Sequence, residues 1–265
     1  MRSYEMGRKS HGKGGGSKAP KGKEAIVPPS SAGPKKLSPL KRNEVNQLVE
    51  KILKVSSSLP QGANTAKEWE VYGEVHKLLG KVEEAEADMR VPLPDRTSSI
   101  PDLIAWLQHH GAHMDGISVQ HFEGYDLGLL AEQDFEEGDL MIAVPRNLML
   151  SVETARFSEL GPMVSRDPML QHMPNVALSL LLLLEKFRPD SFWAPYIAAL
   201  PSQYNTVLYF TPAELSELKG SPALESALKQ CRNIARQYAY FSKLFQKLND
   251  PASQILRNVF SYEQY

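Results

Sequence analysis

Between positions 176 and 184 the chain reads VALSLLLLL, a run in which only Ser179 is polar. No other stretch constrains the fold as strongly. A helix that is apolar around its circumference has to be covered on all sides rather than laid on a surface. The run is too short to span a bilayer, which needs about 20 residues, so the cover is predicted to be protein. Glu185, Lys186 and Arg188 end the run and Pro189 forbids its continuation. Trp193, Tyr196 and Ile197 come next, in a Pro-punctuated connection that should fold back over the helix. The stretch 174–210 is therefore expected to be the centre of the fold.

The remainder of the chain supplies what packs on that centre. Its 265 residues, 42% of them hydrophobic, are enough for one moderate globular core plus a tail. The single cysteine, Cys231, cannot form an internal disulfide, and no apolar signal segment stands near the start. Both features point to a reducing compartment, cytoplasmic or nuclear. Residues 1–43 carry eleven Lys and Arg against Glu5 and Glu24, a net of +9, which leaves the other 222 residues at −10. This tail is rich in Gly and Pro and too poor in apolar groups to offset the entropy of ordering, so it is expected to be disordered. Nucleic acid is expected to engage at most that tail, since the folded part is acidic.

Helical periodicity appears first over 44–56, where Val45, Leu48, Val49, Ile52 and Leu53 form one stripe, and again over 67–87 through Trp69, Tyr72, Val75, Leu79 and Val82. Residues 91–100 read as a linker that carries Arg96. A third helix is expected to open at Pro101 and to stop at Gly111. His109, His110 and His113 lie across that helix end without Cys or carboxylate company, and no metal is expected there. From Ile117 the texture changes to short β segments at 118–122, 128–131, 140–144 and 148–150. Ser151 is suited to cap the next helix. Thr211-Pro212-Ala213-Glu214 is a capping box with Pro at the first helical position, and a long helix is predicted from Ser221-Pro222 to about Leu248. On that helix Ile234, Tyr238, Phe241 and Phe245 make an apolar face, while Asn233, Gln237 and Tyr240 make a polar stripe.

The words NVALSLLLLLEKFRPDSFWAPYIAALPSQYNTVLYF and RNIARQYAYFSKLF resemble the helical insertion of SET-domain methyltransferases of the Rubisco-methyltransferase-like branch. The likeness runs from about Glu44 to Tyr265 and is greatest to members of the branch that methylate a histidine of actin. It implies an α+β fold with N-terminal helices over 44–114 and a partial SET (β-clip) domain over 115–265. That domain would comprise first strands at 115–150, a large helical insertion at 151–248 and a continuation at 249–265. It also implies transfer of a methyl group from S-adenosyl-L-methionine to a histidine ring nitrogen, with actin as partner and no membrane association.

By the same resemblance EGYDLGLLA is a variant of the loop that receives the cofactor. Asp126 stands in place of its first glycine, Leu127 in place of an aromatic residue and Leu130 in place of an arginine. Arg96, Tyr125, Asp126 and Leu127 are thus the expected cofactor residues. Arg96 is either a ligand of the methionine carboxylate or a surface residue of a linker. Asn175 and Gln237 are the expected substrate-peptide residues, the alternatives being a helix N-cap for Asn175 and a solvated face for Gln237. The family's Asn-His motif, catalytic tyrosine and a further arginine fall beyond Tyr265, so no catalytic residue is expected within this chain. The other readings are a non-catalytic peptide- or actin-binding module and a SET-type protein-lysine methyltransferase, because fold likeness alone does not fix chemistry.

Overall fold

The computed structural model describes residues 34–58, 64–92 and 95–265. The expected disordered tail lies outside them, except for its end. There helix α1 (Pro39–Ser56) begins five residues before the apolar stripe signals it. Ser38 accepts a hydrogen bond from the Lys41 N–H at 3.3 Å and Pro39 takes the first helical position. A cap and an N-terminal proline start a helix without help from apolar periodicity, so the tail ends at about Leu37 rather than Asn43.

Helix α2 (Thr65–Ala85) comes next, capped by Asn64 on the Lys67 N–H. Helix α3 (Arg96–His109) corrects the sequence reading: Arg96 is its first residue, not part of a linker, and Pro101 sits inside it. The reason is Asp95, whose Oδ1 accepts from the Thr97 N–H at 3.0 Å and caps a turn upstream of the proline. Gly111, at φ +88°, ends the helix as expected.

Two strands form one antiparallel hairpin, β1 (Ile117–Phe122) and β2 (Asp126–Ala131), in register from Ile117↔Ala131 to Phe122↔Asp126. The segments 140–144 and 148–150 are not strands. The first makes only an isolated bridge, His113↔Ala143, and the second is entered by a single 3₁₀ turn at Arg146–Leu148. A short apolar run suits a strand, but a strand also needs a partner ladder, and neither segment has one among the described residues. Leu140, Met141 and Ile142 are accordingly exposed.

The short helices α4 (Val152–Phe157), α5 (Gly161–Arg166) and α6 (Pro168–His172) lead into α7 (Pro174–Lys186), the apolar run. Val176, Ala177, Leu180, Leu181, Leu183 and Leu184 are buried there. Burial is not complete around the circumference, however. Asn175 and Ser179 are exposed and Leu178 and Leu182 half-buried, and these four fall at i, i+3, i+4 and i+7 on one open stripe. After α8 (Ala194–Ala198) come α9 (Pro212–Glu217), with its capping box, and the 26-residue α10 (Pro222–Lys247), then α11 (Pro251–Val259). Helices α1, α2 and α10 pack on one another, and their buried residues join those of α7 and α11 in one core. No helix among the described residues is long and apolar enough to cross a membrane.

Candidate functional site

Arg96 connects three elements. From the first turn of α3 its Nε donates to the backbone oxygen of Ala199, just past α8, at 3.1 Å. Its Nη1 donates to Oδ2 of Asp126 at the hairpin tip, at 2.7 Å. Its Nη2 has no partner among the described residues. An aromatic cluster packs α3 against the segment that leads into α8. There the Trp106 ring lies 5.2 Å from Phe192 and 5.8 Å from Trp193, and His110 lies 5.0 Å from Phe192. Ala199 is invisible to sequence reasoning, because a backbone carbonyl carries no residue signature.

The hairpin tip explains how Asp126 reaches the arginine. Three residues, Glu123, Gly124 and Tyr125, close the turn, with the Tyr125 N–H bonded to the Phe122 oxygen at 3.0 Å. Gly124 has φ +78°, and Asp126, at φ +62°, is the one non-glycine with positive φ among the described residues. Asp is among the few side chains that tolerate this left-handed region. The position that the resemblance equates with a glycine thus keeps a glycine-like backbone while presenting a carboxylate.

Arg96 and Asp126, together with Asp95, Thr97 and residues 201–203, line an open cleft of about 340 Å³. The structure therefore brings together two of the four expected cofactor residues. Tyr125 is 87% exposed at the turn and does not line the cleft, and Leu127 is half-buried opposite His121 in the hairpin. The three histidines do not converge. His110 packs on Trp106 and Phe192, His113 lies 3.5 Å from Asp115, and no group of three potential metal ligands occurs among the described residues.

The expected peptide residues lie elsewhere. Asn175 is exposed at the second position of α7, while Met173 holds the N-cap position, so Asn175 is not the cap. Gln237 is 6% exposed, which removes the solvated-face alternative. Its Oε1 accepts from the Tyr265 hydroxyl at 2.9 Å, and its Nε2 lies 4.0 Å from Sδ of Met173, two residues before Asn175. Next along the polar stripe, the Tyr240 hydroxyl donates to Asp167, the capping residue of α6. Burial and the neighbouring carboxylate push the Tyr240 phenol up to about 12. The polar side of α10 is thus covered by the α6–α7 junction and by the end of the described chain.

No family model matches the chain. It is 36% identical over 245 residues to proteins named actin-histidine N-methyltransferase from Homo sapiens and Otolemur garnettii. The match covers 92% of this chain and 41% of each relative, so the chain spans about two fifths of their length. Among solved structures, the SET domain of LSMT bound to lysine and AdoHcy superposes with a TM-score of 0.52 at 23% identity, over 63% of this chain and 35% of that one. The same domain bound to MeLysine and AdoHcy gives 0.54 at 23% identity, over 65% and 38%. These likenesses establish the fold, an α+β arrangement with a small antiparallel sheet. The chain is thus a homologue, along 92% of its own length, of the proteins named actin-histidine N-methyltransferase, carried on the fold of a SET domain.

Proposed function

We propose that this chain supplies the cofactor cleft and part of the peptide-facing surface of an S-adenosyl-L-methionine-dependent protein methyltransferase whose acceptor is a histidine ring of actin. The observation that carries the reading is Arg96, fixed at two of its three nitrogens and lining an open cleft. A guanidinium suits the carboxylate at the amino-acid end of the cofactor because its planar fork donates two parallel hydrogen bonds. S-adenosyl-L-methionine supplies an electrophilic methyl group on a sulfonium.

A histidine with an ordinary pKa of about 6.5 is largely neutral near pH 7 and offers a ring lone pair without a strong base. The protein's task is then alignment and exclusion of water. The open stripe of α7, from Asn175 through Leu178 and Ser179 to Leu182, is a surface against which a peptide can lie. Its amide end offers both a donor and an acceptor to a peptide backbone. No residue of this chain is assigned to the bond-making step, and the 265 residues by themselves are proposed to bind rather than to transfer.

Calorimetric titration of the chain with S-adenosylhomocysteine tests the cleft. Saturable binding that Arg96→Ala weakens supports the reading, and binding indifferent to that substitution, or no binding, overturns it. Titration with an actin peptide centred on the histidine, and with the same peptide carrying lysine in its place, tests the acceptor: tighter binding of the lysine peptide would reassign it.

A further inference from the structure

We propose that Asp126 is a displaceable competitor for Arg96, a side chain that occupies the guanidinium edge a ligand carboxylate needs and so sets how tightly the cleft takes an anionic group. The inference rests on the cofactor reading of the cleft. A guanidinium offers a carboxylate two bidentate edges, Nε with Nη2 and Nη1 with Nη2. The first is blocked at Nε by the Ala199 carbonyl, a backbone group fixed at the end of α8. The second is crowded at Nη1 by Asp126, whose Oδ2 lies 2.7 Å from that nitrogen. A ligand carboxylate can therefore reach Nη2 alone with a single bond, or take the Nη1 and Nη2 edge with two bonds if Asp126 leaves.

Asp126 is suited to leaving. Its side chain is 62% exposed against 30% for Arg96, and it stands at the end of a three-residue turn whose neighbouring Tyr125 is almost wholly in solvent. A pair between groups this exposed is weak and screened by salt. What holds Asp126 in place is the left-handed backbone at φ +62°, which aims the carboxylate at the arginine. Asn tolerates the same conformation, so the charge can be removed without disturbing the turn.

The test is calorimetric titration of the full chain and of its Asp126→Asn and Asp126→Gly variants with S-adenosylhomocysteine, using methylthioadenosine, which lacks the amino-acid end, as the control probe. Both variants are expected to bind S-adenosylhomocysteine about fivefold more tightly than the parent, the upper range for release of one exposed ion pair. The gain should shrink as salt is raised, while affinity for methylthioadenosine stays unchanged. Equal or weaker binding by both variants overturns the competitor role, weaker binding marking Asp126 as a partner of the ligand's ammonium group instead. A gain that methylthioadenosine shares also overturns it, as a change in the turn rather than in the edge. Binding of neither probe by any of the proteins overturns the cofactor reading, and this inference with it.

Discussion

Arg232 donates from Nε and Nη2 to the two carboxylate oxygens of Glu68, each at 3.0 Å, and from Nη1 to the backbone oxygen of Ser56 at 3.2 Å. One side chain in the middle of α10 thereby ties the last residue of α1 to the first turn of α2. Glu68 is 3% exposed and the Arg232 side chain 15%. Removing one partner strands the other's charge in the interior, which costs about 3 to 5 kcal/mol. Arg232→Met is therefore expected to lose about 3 kcal/mol in urea unfolding, and adding Glu68→Leu to recover more than half of that loss. A loss by Arg232→Met of under about 0.5 kcal/mol, the range of an ordinary surface substitution, would show that the pair holds nothing together.

Glu86 predicts the pH dependence of stability. It is 5% exposed and accepts from the Tyr238 hydroxyl at 2.6 Å and the Tyr262 N–H at 2.8 Å. Burial dominates over those two hydrogen bonds, and Glu83 and Glu263 add like charge, so its carboxyl rises from an ordinary 4.5 to about 7. The folded state then keeps a proton that the unfolded chain has already released. The contribution is fully present below about pH 4.5 and is lost as pH rises to about 7, by roughly 3 kcal/mol. Glu86→Gln can donate to the Tyr238 oxygen and accept from the Tyr262 N–H, and should flatten this slope. Parallel pH profiles for the two proteins in denaturant melts would assign the dependence to other groups.

Local signals make the helices legible, and the lack of local signals explains the misses. The Thr211 capping box and the Ser221-Pro222 start need only adjacent residues, and α9 and α10 begin where these place them. Helix α3 is misplaced by sequence because Pro101 looks like a first helical residue and the prolines at 92 and 94 disguise the equally good cap at Asp95. Segment 140–144 is a short apolar run, Leu-Met-Ile-Ala-Val, of a strand's length, but such a run says nothing of a partner. The stripe Asn233, Gln237, Tyr240 reads as solvated because periodicity reports a face and not its cover, which arrives 28 residues later as Tyr265. In the cleft, Arg96 and Asp126 are reachable only through family resemblance, and their mutual ion pair through neither route.

Gly161 carries no signal in the sequence and is among the most confined positions in the structure. A Cβ added there would stand 2.2 Å from the backbone oxygen of Arg156, at the junction of α4 and α5. Relief requires a backbone shift, so Gly161→Ala is expected to cost about 1 to 3 kcal/mol. Gly73, inside α2 with nothing within 4 Å of such a Cβ, gives the opposite sign. Gly73→Ala should gain about 0.5 to 1 kcal/mol from helix propensity. Thermal melts of the two variants against the parent decide both, and a neutral Gly161→Ala would mean that the junction yields freely.

Asn175 and Gln237 separate stability from recognition. Asn175 is exposed and caps nothing, so Asn175→Ala should leave stability within about 0.5 kcal/mol. If it meets the substrate, the same variant weakens the protein's binding of an actin peptide. Gln237 is buried against Met173 and receives the Tyr265 hydroxyl. Gln237→Ala leaves that hydroxyl unpaired and should cost about 1 to 3 kcal/mol, a loss that Tyr265→Phe added to it should partly relieve. Unfolding melts and peptide titrations of the single and double variants are read together. A peptide affinity unchanged in Asn175→Ala would remove Asn175 from the recognition surface. A peptide affinity unchanged in Gln237→Ala as well, with stability lost, would make Gln237 a purely structural link between α10 and the start of α7, leaving the stripe of Leu178, Ser179 and Leu182 as the remaining place on the central helix for a peptide to dock.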